Sequence, residues 1–257
     1  MTYLSPAKIN LFLHITSKRD DGYHNLQTIF QLLDFYDEID FSLRDDGKIN
    51  RISGNEDILI SNDLMIKSAK KLKQFRQTNC GVDIKILKKI PKGGGLGGGS
   101  SNAATTLIAL NKLWNLKLTN AELISIGKDI GADVPVFIEG RSSWAEGIGE
   151  ILTPLNLPEY FYLVVSINKQ ISTREIFSHK ALTMSPLQRK ITDFSLVSNP
   201  HNDCLDAAID LDSEIKDALM HLNSTRKRPP MNLPRQLQHH YDNGFPSVYR
   251  AFFCEQH

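Results

Sequence analysis

Three groups of residues in this chain have types and spacings suited to chemistry. Six of the seven residues from Gly93 to Gly99 are glycine, within the run Pro91-Lys92-Gly93-Gly94-Gly95-Leu96-Gly97-Gly98-Gly99-Ser100-Ser101. Lys8 and Asn10 stand two apart in Ala7-Lys8-Ile9-Asn10-Leu11-Phe12-Leu13-His14-Ile15. Asp133 lies between Gly131-Ala132 and the apolar stretch Val134-Pro135-Val136-Phe137-Ile138. A glycine turn that opens a helix presents free backbone N–H groups and the positive end of the helix dipole, an arrangement suited to phosphate. Ser100 and Ser101 can cap that helix or offer hydroxyls to phosphates or their metal. A carboxylate among apolar residues calls for a cation, and Lys8, on an equally apolar segment, is the natural candidate.

Each group also has a plainer reading. Glycine and serine build linkers, although a linker does not usually sit tightly between a strand and an alanine-rich helix. Gly93-x-Gly95-x-x-Gly98 satisfies a dinucleotide fingerprint, but that fold wants an acid about twenty residues further on, closing the next strand. Here the first acid is Glu122, in an apparent helix start. A Walker loop fails because no Lys-Ser or Lys-Thr ends the glycines, so the lysine of this cradle must come from elsewhere. Lys8 and Asn10 also fit a solvated strand face. Asp133 also fits a turn, and Tyr23-His24, after the turn signal Asp21-Gly22, fits a hairpin with a packed tyrosine.

The elements that must carry these groups follow from periodicity. Ile9, Leu11, Leu13 and Ile15 alternate with Lys8, Asn10, Phe12 and His14, which predicts a strand. Further strands are predicted over Ile29–Ile39, Ile49–Ile60 and around Val82–Ile86. Helices are predicted over Asn62–Arg76, after the glycine run through Trp114, and over Asn120–Ile130, ended by Gly131. The apolar residues after Asp133 read as a strand. Pro154–Pro158 reads as a linker, Phe161–Val165 as a buried strand and Asn199-Pro200 as a breaker.

Composition narrows the class. A chain of 257 residues holds one large or two modest domains. A net charge of +1 supplies no global field for nucleic acid or an acidic membrane. Cys80, Cys204 and Cys254 form no CxxC pair, so neither a disulfide framework nor a zinc site is expected, and a reducing cytoplasm is the default. No apolar run reaches spanning length and the first residues do not resemble a signal peptide, so a cytoplasmic protein is expected.

With Pro6-Ala7-Lys8-Ile9-Asn10-Leu11, Asp21-Gly22-Tyr23-His24, Pro91 through Ala104, Gly131-Ala132-Asp133-Val134-Pro135 and Ala145-Glu146-Gly147-Ile148-Gly149-Glu150 in this order, the chain resembles the galactokinase, homoserine kinase, mevalonate kinase and phosphomevalonate kinase (GHMP) superfamily. Within it, the chain is similar to the family acting on 4-diphosphocytidyl-2-C-methyl-D-erythritol in the non-mevalonate isoprenoid pathway. The resemblance implies an α+β fold in two domains, 1–154 binding ATP and 155–257 completing the cleft. The first would be ribosomal protein S5 domain 2-like and the second ferredoxin-like. It implies ATP with Mg2+, metal ligands unassigned, and a cytidine-diphosphate-linked polyol phosphorylated on its 2-hydroxyl. Neither nucleic acid nor membrane is an implied partner, and the protein would be a monomer or weak homodimer. Lys8 and Asp133 would be catalytic, and Pro91 through Ser101 would hold the ATP phosphates. Tyr23 and Phe177 would sandwich the cytosine, His24 would read its edge, and Asn10 and Thr173 would line the substrate side.

The resemblance ends near residue 220. Where the superfamily carries a Ser-Gly-x-Gly loop, this chain has Arg226-Lys227-Arg228-Pro229-Pro230-Met231, and its prolines oppose regular structure. A replaced tail, as from a shifted frame near Arg226, is the expectation. The alternative function that follows is a nucleotide-binding relic without turnover.

Overall fold

The computed structural model describes residues 1–158, 162, 164–165, 171, 173–186, 188, 190–191 and 201–225. In chain order its elements are β1 (Thr2–Lys18), β2 (His24–Arg44), β3 (Ile49–Ser53), α1 (Leu64–Arg76), β4 (Gly81–Leu87), α2 (Gly98–Leu113) and α3 (Asn120–Lys128). There follow α4 (Val134–Glu139), β5 (Ser143–Glu146), β6 (Ile151–Pro154), α5 (Thr173–Ser178), α6 (Leu205–Leu211) and α7 (Ser213–Thr225).

β2 organises the sheet. It pairs antiparallel with β1 along most of its length, with β4 through Glu38–Arg44 and with β5 through Thr28–Phe30. The order is β3-β4-β2-β5-β6, with β1 also on β2. β3 and β4 are parallel, joined by α1, as a parallel pair requires a crossover. One sheet face packs Ile39, Phe41, Val82, Ile84 and Ile86 against Leu72, Leu107, Leu110, Ile126 and Val136 of α1 to α4. The β1 residues Ala7, Ile9 and Leu11 join Ile29, Ile90, Leu96 and Trp144 in a second core. Further along β1, Leu13 and Ile15 meet Ile176, Ala207, Ala208 and Ile215 in a third. One strand therefore reaches the glycine loop and the later helices.

Local chemistry explains the helix starts. Asp63 accepts the Met65 N–H at 2.9 Å and is ion-paired with half-buried Arg51 at 2.6 Å, which starts α1. Thr119 and Glu122 form a reciprocal capping box at α3.

Two predicted strands are corrected. The segment after Asp133 is the helix α4, not a strand. Its five apolar residues are all buried, so the run had no polar face to betray its period. Pro135 falls in the first turn, where a missing N–H costs nothing, and Gly140 closes the helix at φ 68°. The strand expected over Ile49–Ile60 ends at Ser53. Gly54 and Asn55 turn the chain at φ 81° and 59°, and pairing with β4 stops there. The predictions at Phe161–Val165, Asn199-Pro200 and the tail from Arg226 fall wholly or partly outside the described residues.

Candidate active site

The glycine run is held at both ends. Before it, buried Asp37 accepts the backbone N–H groups of Lys89 and Ile90 at 2.7 and 2.9 Å and pairs with the Lys88 ammonium. In its middle, the Leu96 carbonyl accepts the Lys8 backbone N–H at 2.9 Å. Helix α2 starts inside the run, at Gly98, with Gly97 as N-cap and no side-chain cap. The first N–H groups of this sixteen-residue helix thus receive no side-chain cap. Gly97 has φ 69°, and a Cβ there would stand 2.7 Å from the Phe137 ring and 3.0 Å from Lys8 Cγ. No other residue type fits that position.

The two serines differ. Ser101 Oγ is hydrogen-bonded to Ser5 Oγ at 2.8 Å. Ser100 Oγ is buried and has no hydrogen-bond partner among the described residues. A buried hydroxyl at the first turn of α2 suits a phosphate oxygen or a cation bound to one. Lys92, inside the loop, is ion-paired with exposed Asp57.

Lys8 and Asp133 form an ion pair, Nζ to Oδ2 at 3.0 Å, with both side chains almost wholly buried. Lys8 Nζ also donates to Asn10 Oδ1 at 2.9 Å and lies 5.3 Å from the centroid of the Phe30 ring. Asp133 is the N-cap of α4 but makes no side-chain cap bond, so its carboxylate is turned to the lysine rather than to its own helix. Each ion needs the other in that setting. Because Phe137 and Lys8 Cγ crowd the space beside Gly97, the pair adjoins the N-terminus of α2. The expected ion pair is present, and it stands beside the glycine-rich start of α2.

The segment Glu146–Glu150 turns β5 into β6 between the two halves of the site. The Gly147 carbonyl accepts the Leu26 N–H at 2.7 Å, and Glu146 accepts from Gln27 Nε2 at 2.9 Å. Beyond Leu26, His24 is buried and stacks on Phe177, with centroids 5.3 Å apart and planes at 28°. Tyr23 is exposed beside them, and among the described residues its ring does not touch Phe177. Burial, and next the charge of Lys18, holds the His24 imidazole below its ordinary value. It is neutral at neutral pH, with one donor and one acceptor nitrogen. Thr173 opens α5.

Residues 63–141 match the family model described as "GHMP kinases N terminal domain". A protein of Ruthia magnifica subsp. Calyptogena magnifica named 4-diphosphocytidyl-2-C-methyl-D-erythritol kinase is 62% identical over 223 residues, covering 87% of this chain and 78% of the relative. The chain belongs to the 4-diphosphocytidyl-2-C-methyl-D-erythritol kinase family. A second member, from Vesicomyosocius okutanii subsp. Calyptogena okutanii, is 58% identical over 88% of this chain and 80% of its own length. A crystal structure of 4-(cytidine 5'-diphospho)-2C-methyl-D-erythritol kinase superposes with a TM-score of 0.65 at 30% identity, covering 85% of this chain and 81% of the other. The fold is accordingly the α+β fold of GHMP kinases.

Sequence reasoning missed the supports of this family's site. Asp37 and Thr28 are scattered polar residues on β2, and no local motif marks either. Only the sheet register brings Thr28 beside Asn10, 2.8 Å away. Phe30, under the Lys8 ammonium, is likewise a lone aromatic on β2 that no local motif marks.

Proposed function

We propose that this chain transfers the γ-phosphoryl group of ATP to the 2-hydroxyl of 4-diphosphocytidyl-2-C-methyl-D-erythritol. The observation that carries the reading is the buried Lys8–Asp133 pair next to an uncapped glycine helix start. An alcohol is a weak nucleophile at neutral pH. A carboxylate within hydrogen-bond reach takes its proton as transfer proceeds. Lys8 keeps Asp133 ionised and stabilises charge spreading on the transferred group. The N–H groups at the start of α2, with Pro91 through Ser101, hold the phosphates. Mg2+ brought with the nucleotide would neutralise phosphate charge, and Ser100 Oγ, buried without a partner among the described residues, would be placed to contact it. Among the described residues no cluster of three or more His, Cys, Asp or Glu could hold a metal alone.

On the acceptor side, His24 reads the polar edge of cytosine, Tyr23 and Phe177 supply aromatic faces, and Asn10 and Thr173 line the polyol. Residues 1–154 form the ATP-binding domain. The separate core of Leu13 and Ile15 with α5 to α7 supports a second domain from 155, for which a ferredoxin-like fold is the expectation. No described helix is long and apolar enough to cross a membrane. A cytoplasmic monomer or weak homodimer acting on a small molecule, with no nucleic-acid or membrane partner, fits the reading.

The relic alternative is not favoured. A buried ion pair is costly to keep, and here it survives with its hydrogen-bonded neighbours beside the uncapped start of α2. Incubation with ATP, Mg2+ and the cytidylated polyol tests the proposal. Release of ADP dependent on the polyol supports the kinase, and nucleotide binding without release supports the relic.

A further inference from the structure

Asn10 is joined on one side to Lys8 and on the other to Thr28, and the chemistry of its neighbours fixes which way its amide faces. Lys8 has only protons to give, so the Asn10 atom 2.9 Å from its Nζ is the oxygen. The amide nitrogen therefore faces Thr28 Oγ1, at 2.8 Å. A threonine hydroxyl can donate or accept, but this one spends its proton on the Phe12 carbonyl. It meets Asn10 as an acceptor only.

The Phe12 carbonyl is free for this because of a bulge. Asn10 pairs with Phe30 and Leu13 pairs with Thr28, so Leu11 and Phe12 together face the single residue Ile29. A bulge leaves its extra residue out of the ladder. Hydrogen bonds thus run one way, from Lys8 to Asn10 oxygen and from Asn10 nitrogen through the Thr28 hydroxyl to Phe12. Thr28 is fully buried, so water does not substitute for it.

We infer that Thr28 is a positioning residue for phosphoryl transfer: by locking the Asn10 amide it aims the Lys8 ammonium at Asp133. Without the hydroxyl the amide is no longer held, and its NH2 group can turn toward the ammonium, donor against donor. The ammonium then leaves the line to Asp133. The inference rests on the kinase reading for its effect on rate, while the amide orientation stands apart from it.

Thr28→Val keeps the shape and removes the hydroxyl, and Thr28→Ser keeps the hydroxyl. Thr28→Val is expected to cut kcat about tenfold, the scale of one net hydrogen bond. The Michaelis constant for ATP should be unchanged, and Thr28→Ser should restore the rate. In an Asn10→Ala background the same substitution should cost almost nothing more, since the relay is already cut. Thr28→Ala serves in the same cycle where Thr28→Val does not fold. Independently of turnover, NMR should show slow solvent exchange of the Asn10 side-chain amide, assigned by its loss in Asn10→Ala, and exchange at least tenfold faster without the Thr28 hydroxyl. Full turnover in Thr28→Val, equal losses in both backgrounds, failure of Thr28→Ser to restore the rate, or unchanged amide exchange would each overturn the inference. A wild-type protein that releases no ADP sinks the kinase reading instead, and amide exchange then decides the role of Thr28.

Discussion

Lys8 is bonded twice to the site: its backbone N–H donates to the Leu96 carbonyl at 2.9 Å, while its ammonium pairs with Asp133. The glycine loop and the acid–base pair therefore cannot move independently. Displacement of either should be felt by the other.

Gly97→Ala tests that coupling. The new Cβ would fall 2.7 Å from the Phe137 ring and 3.0 Å from Lys8 Cγ, on a backbone at φ 69°. Strain of this kind costs about 1–3 kcal/mol. Stability, ATP affinity and kcat should fall together, as thermal melts and steady-state kinetics would record. A variant that melts and turns over like the parent would show the loop and lysine to be uncoupled.

Asp37 should matter to ATP rather than to the polyol. Its buried carboxylate fixes Lys88, Lys89 and Ile90 just before the loop. Removing one member of a buried ion pair costs about 3–5 kcal/mol, so Asp37→Ala should melt well below the parent and raise the Michaelis constant for ATP. An unchanged ATP constant in a folded Asp37→Ala would remove Asp37 from the support of the loop.

The stacked pair His24 and Phe177 makes a different prediction. Phe177→Ala should raise the Michaelis constant of the cytidylated substrate by a stacking increment of about 1–3 kcal/mol, and leave ATP affinity alone. Equal losses for both substrates would move Phe177 out of the cytosine site.

His24 also sets a pH dependence. Its pKa is lowered in the folded protein, against about 6.5 for an unperturbed imidazole. As pH falls below that ordinary value, the unfolded chain takes up a proton that the folded one resists. Stability is therefore lost down to the folded pKa and is level below it. The polyol's Michaelis constant should rise further down, as pH falls through the lowered folded pKa and the folded imidazole itself takes the proton, and His24→Gln should flatten both curves. A profile identical in His24→Gln would assign the acid limb to another group.

What the sequence disclosed depended on how local the cause was. The glycine cradle is local, since six glycines before an alanine-rich helix have few other uses. The Lys8–Asp133 pair was inferred from two charges on apolar segments, because burial forces opposite charges together. Helix α4 was misread as a strand because a run buried on every side shows no period. Thr28 was invisible for a further reason: its role depends on a bulge at Leu11–Phe12, and register is a property of two strands together. The stacking of His24 on Phe177 joins residues 153 positions apart, and nothing near either residue announces the other.

The central claim is that Asp133, held ionised by Lys8, takes the proton of the substrate hydroxyl. The most direct measurement is the polyol-dependent ADP release of Asp133→Asn, which keeps size and hydrogen bonding but loses charge and basic oxygen. Turnover should fall about a hundredfold or more, the scale of a positioned acid–base group, with ATP affinity little changed. Lys8→Met should be comparably damaging, and the double variant no worse than the more damaging single. An Asp133→Asn enzyme that releases ADP at the parent rate would contradict the mechanism.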